Sequence, residues 1–276
     1  MVGAVDGPIM LRTGLFRVLG LATAALAAAG GGACGGAPEG ETTTVTAAVL
    51  AENALTANAL TANALTANAL TANALTANAL TANALTANAL TANALRDPLG
   101  RELLKYVVSC ALDEDDEVSF KVDGVRYNFP GSLGLAPEWG NRNGSCDGSC
   151  QRWVSACVLA RVDAAGIKRD ISIRGAHWAL MPERNELRKY TEREATYFGN
   201  LFVKGQPRFM CLAPGQNSNE RVCGDSMADC PMTVVGSCDD ACQFEGMFGA
   251  FQFCSDAGRV RRGTTYAESI TVFLPK

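Results

Sequence analysis

Ten cysteines crowd the stretch between Cys110 and Cys254 of this 276-residue chain, and no other feature narrows its possible folds as much. They are Cys110, Cys146, Cys150, Cys157, Cys211, Cys223, Cys230, Cys238, Cys242 and Cys254; the eleventh cysteine, Cys34, stands apart near the N-terminus. Setting Cys34 aside turns an odd count into an even one, the arithmetic of a disulfide framework with five bridges. Disulfides persist in oxidising compartments, so the same count predicts an exported protein. Connectivity cannot be read from the spacings. One restriction can: Cys150 and Cys157 are seven residues apart on one face of an expected helix, so they cannot bond each other.

The N-terminus carries a matching address. Arg12 and Arg17 precede or open onto an apolar run, "VLGLATAALAAA" from Val18 to Ala29, and the small-residue exit "GGGAC" comes next. This pattern describes a secretory signal peptide over residues 1–33, with Met10 as an alternative start. The run has 12 residues, whereas a bilayer span takes about 20. Gly31-Gly32-Ala33-Cys34 resembles the lipobox of bacterial lipoproteins, departing from it at Gly31, where that family carries leucine or a similar apolar residue. The resemblance implies lipid attachment at Cys34. It also implies a place in the cell envelope, on the outer membrane or cell surface, with the membrane reached through the N-terminal lipid. Residues 34–52 read as a flexible tether.

From Asn53 to Leu95 the pentad "NALTA" repeats eight times and ends in a ninth "NAL". A period of five matches neither helix nor strand, so it leaves no single apolar face. The pentad resembles the pentapeptide-repeat family, whose A-[D/N]-L-x-x units stack as a square β-helix. Read as "NALTA" it puts Asn at the small inward position; read as "ANALT" it puts Ala at the central position. Helix, β-solenoid and disordered chain are all open readings. Each makes 53–95 a stalk that spaces the C-terminal domain from its lipid, about 65 Å long if fully helical.

Asp97 as N-cap and Pro98 at the first helical position mark the start of a domain over residues 97–276, large enough for its own core. Leu99, Leu103, Tyr106, Val107 and Cys110 recur at helical spacing. Residues 118–129 alternate around Asp123-Gly124, a hairpin signal. A helix is expected from Cys150 to Val162, and strands over 170–176, 208–213, 232–236 and 270–274. Thr191-Glu192-Arg193-Glu194 has the form of a capping box opening a short helix to about Asn200. The sum is an α+β class: a disulfide-rich domain with antiparallel strands and a few short helices.

The domain holds 24 acidic and 21 basic residues with no basic stripe, which argues against a nucleic-acid partner. "GSCDGSCQ" (144–151) recurs as "GSCDDACQ" (236–243), identical at six of eight positions. In both, an Asp (Asp147, Asp239) is placed to cap a helix with a cysteine (Cys150, Cys242) in its first turn. A thiolate there is stabilised by the helix dipole, so Cys150 is a candidate nucleophile. "DGSCQ" is similar to the C-G-[SA]-C-[WY] of papain-type proteases, with Gln151 in place of the aromatic. The one histidine, His177, lies 27 residues after Cys150, against roughly 130–150 in that family.

C-x₃-C, at 146/150 and 238/242, is a loose ligand spacing for a tetracysteine zinc site and an oxidising compartment favours bridges, so no metal ligands and no cofactor are expected. "DEDDE" (113–117) lacks the spaced ligands of a calcium loop and reads as a solvated turn. Glu183, Glu186, Glu192 and Glu194, around Tyr190 and Tyr197, are the candidates for a glycosidase-like acid/base pair. The whole domain resembles uncharacterised bacterial lipoproteins with similar "SCQRWVSACVLARV" segments, a resemblance that implies no activity. The expectation is an exported, lipid-anchored binding module for a protein or glycan, with the cysteines as bridges. An extracytoplasmic hydrolase, Cys/His- or carboxylate-based, is the alternative.

Overall fold

A computed structural model describes residues 50–53, 55–56, 98–141 and 144–276; the expected signal peptide, Cys34, nearly all of the repeat and Asp97 lie outside the described residues. The first described elements lie upstream of the boundary expected at Asp97. Strand β1 (Leu50–Asn53) and strand β2 (Leu55–Thr56) come from the expected tether and first pentad. Helix α1 (Pro98–Ala111) is next, then the hairpin β3 (Glu117–Val122) and β4 (Val125–Pro130). Helix α2 (Gly148–Ala160) leads into β5 (Val162–Asp163) and β6 (Arg169–Arg174), then α3 (Arg184–Lys189) and the long strand β7 (Tyr190–Gly199). Next come β8 (Arg208–Leu212), α4 (Glu220–Cys223), β9 (Thr233–Ser237), α5 (Cys238–Ala241) and β10 (Cys242–Glu245). The chain closes with β11 (Phe251–Ser255), β12 (Thr265–Tyr266) and β13 (Ser269–Pro275).

Six strands form the main sheet in the order β1-β6-β13-β7-β8-β9, antiparallel throughout except for the parallel pair β8–β9. Its two faces are both covered, which the alternation of side chains along β7 and β8 makes possible. Ala195, Tyr197, Met210 and Leu212 belong to the larger core, which includes Val154, Cys157 and Val158 of α2. Phe198 and Cys211 belong to a second core with Phe251, Cys254 and Tyr266 of the three-stranded sheet β10-β11-β12. α2 lies over β7 and β13, and α1 packs on α2. α2 is therefore buried on nearly every side along its second half, from Val154 to Ala160.

All ten cysteines of the domain are paired. Cys110–Cys157 ties α1 to α2, Cys211–Cys238 ties β8 to the start of α5, and Cys242–Cys254 crosses between β10 and β11. Cys223–Cys230 closes the loop after α4, and Cys146–Cys150 closes the approach to α2. The hairpin forms where the sequence places it, Val122 facing Val125 across Asp123 (φ 49°) and Gly124 (φ 84°). Both central residues need positive φ in such a turn, and Asp-Gly supplies it at low cost.

Several expectations are corrected. β1 pairs with β6 and β2 with β5, so these two short strands add to the sheets although they precede the boundary expected at Asp97. The edge of β6 would otherwise stay open, and an extended segment from far upstream in the chain closes it. Residues 190–199 form a strand in place of the capped helix, because Ala195–Phe198 must serve two buried faces. Asp147 caps α2 as expected, but Asp239 caps nothing: Ser237 is the N-cap of the four-residue α5, and Cys242 ends it and starts β10. After Cys150 comes a run with helical periodicity; after Cys242 comes "QFEGMFG", which has none. Cys150 also reaches no distant element, bonding the segment just before its own helix.

Candidate functional site

Two sequence candidates converge at the start of α2. Asp147 is extended, and its carboxylate Oδ1 accepts a hydrogen bond from the Cys150 N–H at 2.9 Å, the usual N-cap arrangement. Gln151 Nε2 donates to the Cys146 carbonyl at 3.1 Å and pins the incoming loop to the helix. Cys150 thereby faces a surface cleft of about 370 Å³, lined by Leu135, Glu138, Ser145, Asp147, Ser149, Cys150, Trp153 and His177. Cys150 is bonded to Cys146 and is not a free thiol.

His177 caps the short turn Trp178–Leu180, its Nδ1 accepting from the Ala179 N–H at 3.2 Å. That bond assigns the neutral ring its proton on Nε2. Burial holds the His177 pKa below its ordinary value, with the carboxylate of Glu138 acting in the opposite direction. The ring is therefore neutral at pH 7, with Nδ1 already engaged and Nε2 a donor. A general base would need a free acceptor nitrogen. The tautomer and the disulfide together argue against the Cys150–His177 nucleophilic dyad.

Trp153 and His177 of this cleft belong to a row of rings. Trp153 meets His177 edge-on at 5.2 Å between centroids, and His177 lies 5.6 Å from Trp178. Trp178 is 66% exposed. The outer side of α2 is fixed by Arg152, whose Nε and Nη2 donate to Glu268 at 2.6 and 2.9 Å. Burial works to raise the Glu268 pKa, but the hydrogen bonds from Arg152 and Ser149 outweigh it and hold the carboxyl below its ordinary value.

The glutamate candidates divide. Glu192 and Glu194 line a second, highly polar cleft of about 690 Å³, together with Asp163, Arg169 and Arg221. Glu194 is fully engaged: Arg221 Nε donates to Oε1 at 2.8 Å, Nη2 to Oε2 at 2.6 Å, and Tyr197 OH to Oε2 at 3.0 Å. Arg221 also donates to Tyr197 OH at 2.9 Å and, through Nη1, to the Val162 carbonyl. Burial drives the Tyr197 pKa far up, Arg221 opposing it. Burial lowers the Arg221 pKa, but the Glu194 carboxylate outweighs it and keeps the guanidinium charged. This is a closed structural network, with no carboxyl oxygen left for acid/base work.

Glu183 takes the N-cap position of α3 without a side-chain cap bond. Glu186 and Tyr190 are buried; among the described residues the Tyr190 hydroxyl has no hydrogen-bond partner, and the Glu186 carboxyl has Ser172 and Arg174 near it. In "DEDDE", Glu114 to Glu117 are exposed. The sulfurs of Cys211, Cys238 and Cys242 lie within 4.8 Å of one another. They do so because two disulfides pack side by side, Cys211 Sγ and Cys242 Sγ being 3.6 Å apart.

Sequence reasoning did not find Glu138 or Arg221 as parts of the two clefts, nor Trp178 beside His177. An exposed Trp next to the lone histidine was the one available signal, whereas the Glu194–Arg221 pair spans 27 residues with no local pattern. No protein-family model, no curated protein and no solved structure matches the chain. Among the described residues no helix is long and apolar enough to cross a membrane.

Proposed function

We propose that this chain is an exported, lipid-anchored binding module, and that its ligand site is the cleft at the start of α2. The anchor reading is supported by the basic-apolar-small pattern ending at Cys34 and by five bridges of a kind that persist only outside reducing compartments. The observation that carries the site is the row Trp153–His177–Trp178: Trp153 and His177 line the cleft with the carboxylates of Glu138 and Asp147, and His177 leads on to the solvent-exposed ring of Trp178.

Flat aromatic faces take the C–H faces of a sugar ring, while fixed acceptors and a fixed Nε2–H donor serve its hydroxyls. The ligand class is therefore a glycan. Amphipathic rings lose few rotamers on binding, which suits a shallow site. Titration of the mature protein with a panel of neutral oligosaccharides, monitored by tryptophan fluorescence and calorimetry, tests the reading. Binding abolished in Trp178→Ala, with unchanged circular dichroism, is expected. Saturable binding of peptides in place of every sugar would overturn the glycan assignment, and turnover of an ester or peptide lost in His177→Ala would favour the hydrolase.

A further inference from the structure

The five bridges differ in what surrounds them, and one is placed for chemistry. Cys146–Cys150 has a sequence separation of 4, so it constrains little of the chain that the neighbouring cap and the Gln151 bond do not already hold. Its two cysteines differ in position: Cys146 is fully buried, whereas Cys150, also buried, lines the cleft. Cys150 also sits in the first turn of the 13-residue α2, where the backbone dipole favours a thiolate. Across the same cleft stands His177, whose Nε2 carries a proton by virtue of the Ala179 bond.

We propose that Cys146–Cys150 is a redox-active disulfide that exchanges with dithiol substrates, with Cys150 as the sulfur attacked and Cys146 as the leaving thiolate. This inference stands on the cleft's own sulfur chemistry and does not depend on a glycan ligand. In the first step a substrate thiolate attacks Cys150 Sγ. The new substrate–Cys150 bond forms as the Cys146–Cys150 bond breaks, and the electron pair leaves on Cys146 Sγ, which takes a proton from solvent. A second thiolate of the same dithiol then attacks the substrate sulfur and expels Cys150 as a thiolate, which the helix terminus and the His177 donor receive. The dithiol has lost two electrons and two protons, and the protein holds two thiols. Glu138 and Asp147 line the cleft and oppose anionic reactants, so the favoured substrates carry positive charge beside their sulfur.

Cys223–Cys230 is the natural control, because Cys230 is more exposed than Cys150 and the separation is only 7, yet Cys223 closes a four-residue helix and faces no histidine. The folded, oxidised full chain is treated with about one equivalent of dithiothreitol, alkylated and mapped by mass spectrometry. Labelling of Cys146 and Cys150 is expected to exceed that of Cys223 and Cys230 by about tenfold. In Cys146→Ala, cystamine is expected to form a mixed disulfide with Cys150 about threefold or more faster than the dianionic dithiodiglycolate. Preferential opening of Cys223–Cys230, or no opening of any bridge before unfolding, would overturn the proposal on the unmodified chain, whatever Cys146→Ala does. Glycan binding persisting while exchange fails would separate this failure from that of the ligand assignment.

Discussion

Replacing both partners of Cys110–Cys157 by alanine should cost far more stability than the same change at Cys146–Cys150. The first bridge has a sequence separation of 47 and joins two helices; the second has a separation of 4 and joins a helix to its own approach. If bridges act by restricting the unfolded chain, the loss grows with the logarithm of loop length, giving about 4 kcal/mol for the first and about 2 kcal/mol for the second. Cys110 and Cys157 are both 0% exposed, so truncation also leaves a small void in the α1–α2 contact, adding about 1 kcal/mol. The assay is urea unfolding of the oxidised full chain without reductant, read by tryptophan fluorescence and far-UV circular dichroism. The Cys110→Ala/Cys157→Ala midpoint should fall about twice as far or more, with a larger m-value as the freed unfolded chain exposes more surface. Equal losses, or a greater loss at Cys146–Cys150, would refute loop closure as what sets each bridge's contribution.

Arg221→Met should destabilise by about 3–5 kcal/mol in the same assay, because it strands the buried Glu194 carboxylate, whereas Arg152→Met should cost less, because Arg152 is itself one-third exposed and water can reach its side of the pair. Glu186 has its pKa raised by burial above the ordinary 4.5, Arg174 opposing, so the folded state binds its proton more tightly than the unfolded state. Its contribution is fully present below pH 4.5 and is lost as pH rises through the folded value; Glu186→Gln should flatten that part of the stability–pH curve, and an unchanged curve would count against the buried carboxyl. Cys34→Ala should abolish fatty-acid labelling and release the protein from membranes, and an unlabelled wild type would end the anchor reading. A chain starting at Asp97 should be less stable than one starting at Thr46, since only the longer one carries β1 and β2; identical melting would place those strands outside the domain's cooperative unit.

The sequence disclosed whatever is decided within a few residues. Asp123-Gly124 specifies its own turn, Pro98 opens α1, and Asp147 caps α2, because in each the determining atoms are neighbours along the chain. The α+β class came from the same local signals. The failures fall where the deciding contact is distant. "TERE" has the form of a capping box, yet the residues behind it are drawn into β7 by two cores built from strands up to the C-terminus. Two octapeptides identical at six positions end in different structures, because the downstream residues decide: a helical run after Cys150, an aperiodic one after Cys242.

The site shows the same division. Cys150 and His177 were both legible as reactive residues, and they do share a cleft. What that cleft can do is set by two contacts that no spacing announces: the bond from Cys146, and the Ala179 N–H that fixes the His177 ring. The first removes the nucleophile and the second removes the base, so the same pair that reads as a hydrolytic dyad in sequence becomes a donor beside a disulfide in space. A donor, two fixed acceptors and exposed rings support the proposed binding role, and a disulfide over a helix terminus supports the proposed exchange. Both proposals rest on neighbours that oppose hydrolysis, which is why the measurement of greatest consequence for this protein is the redox state of Cys150 in the folded chain.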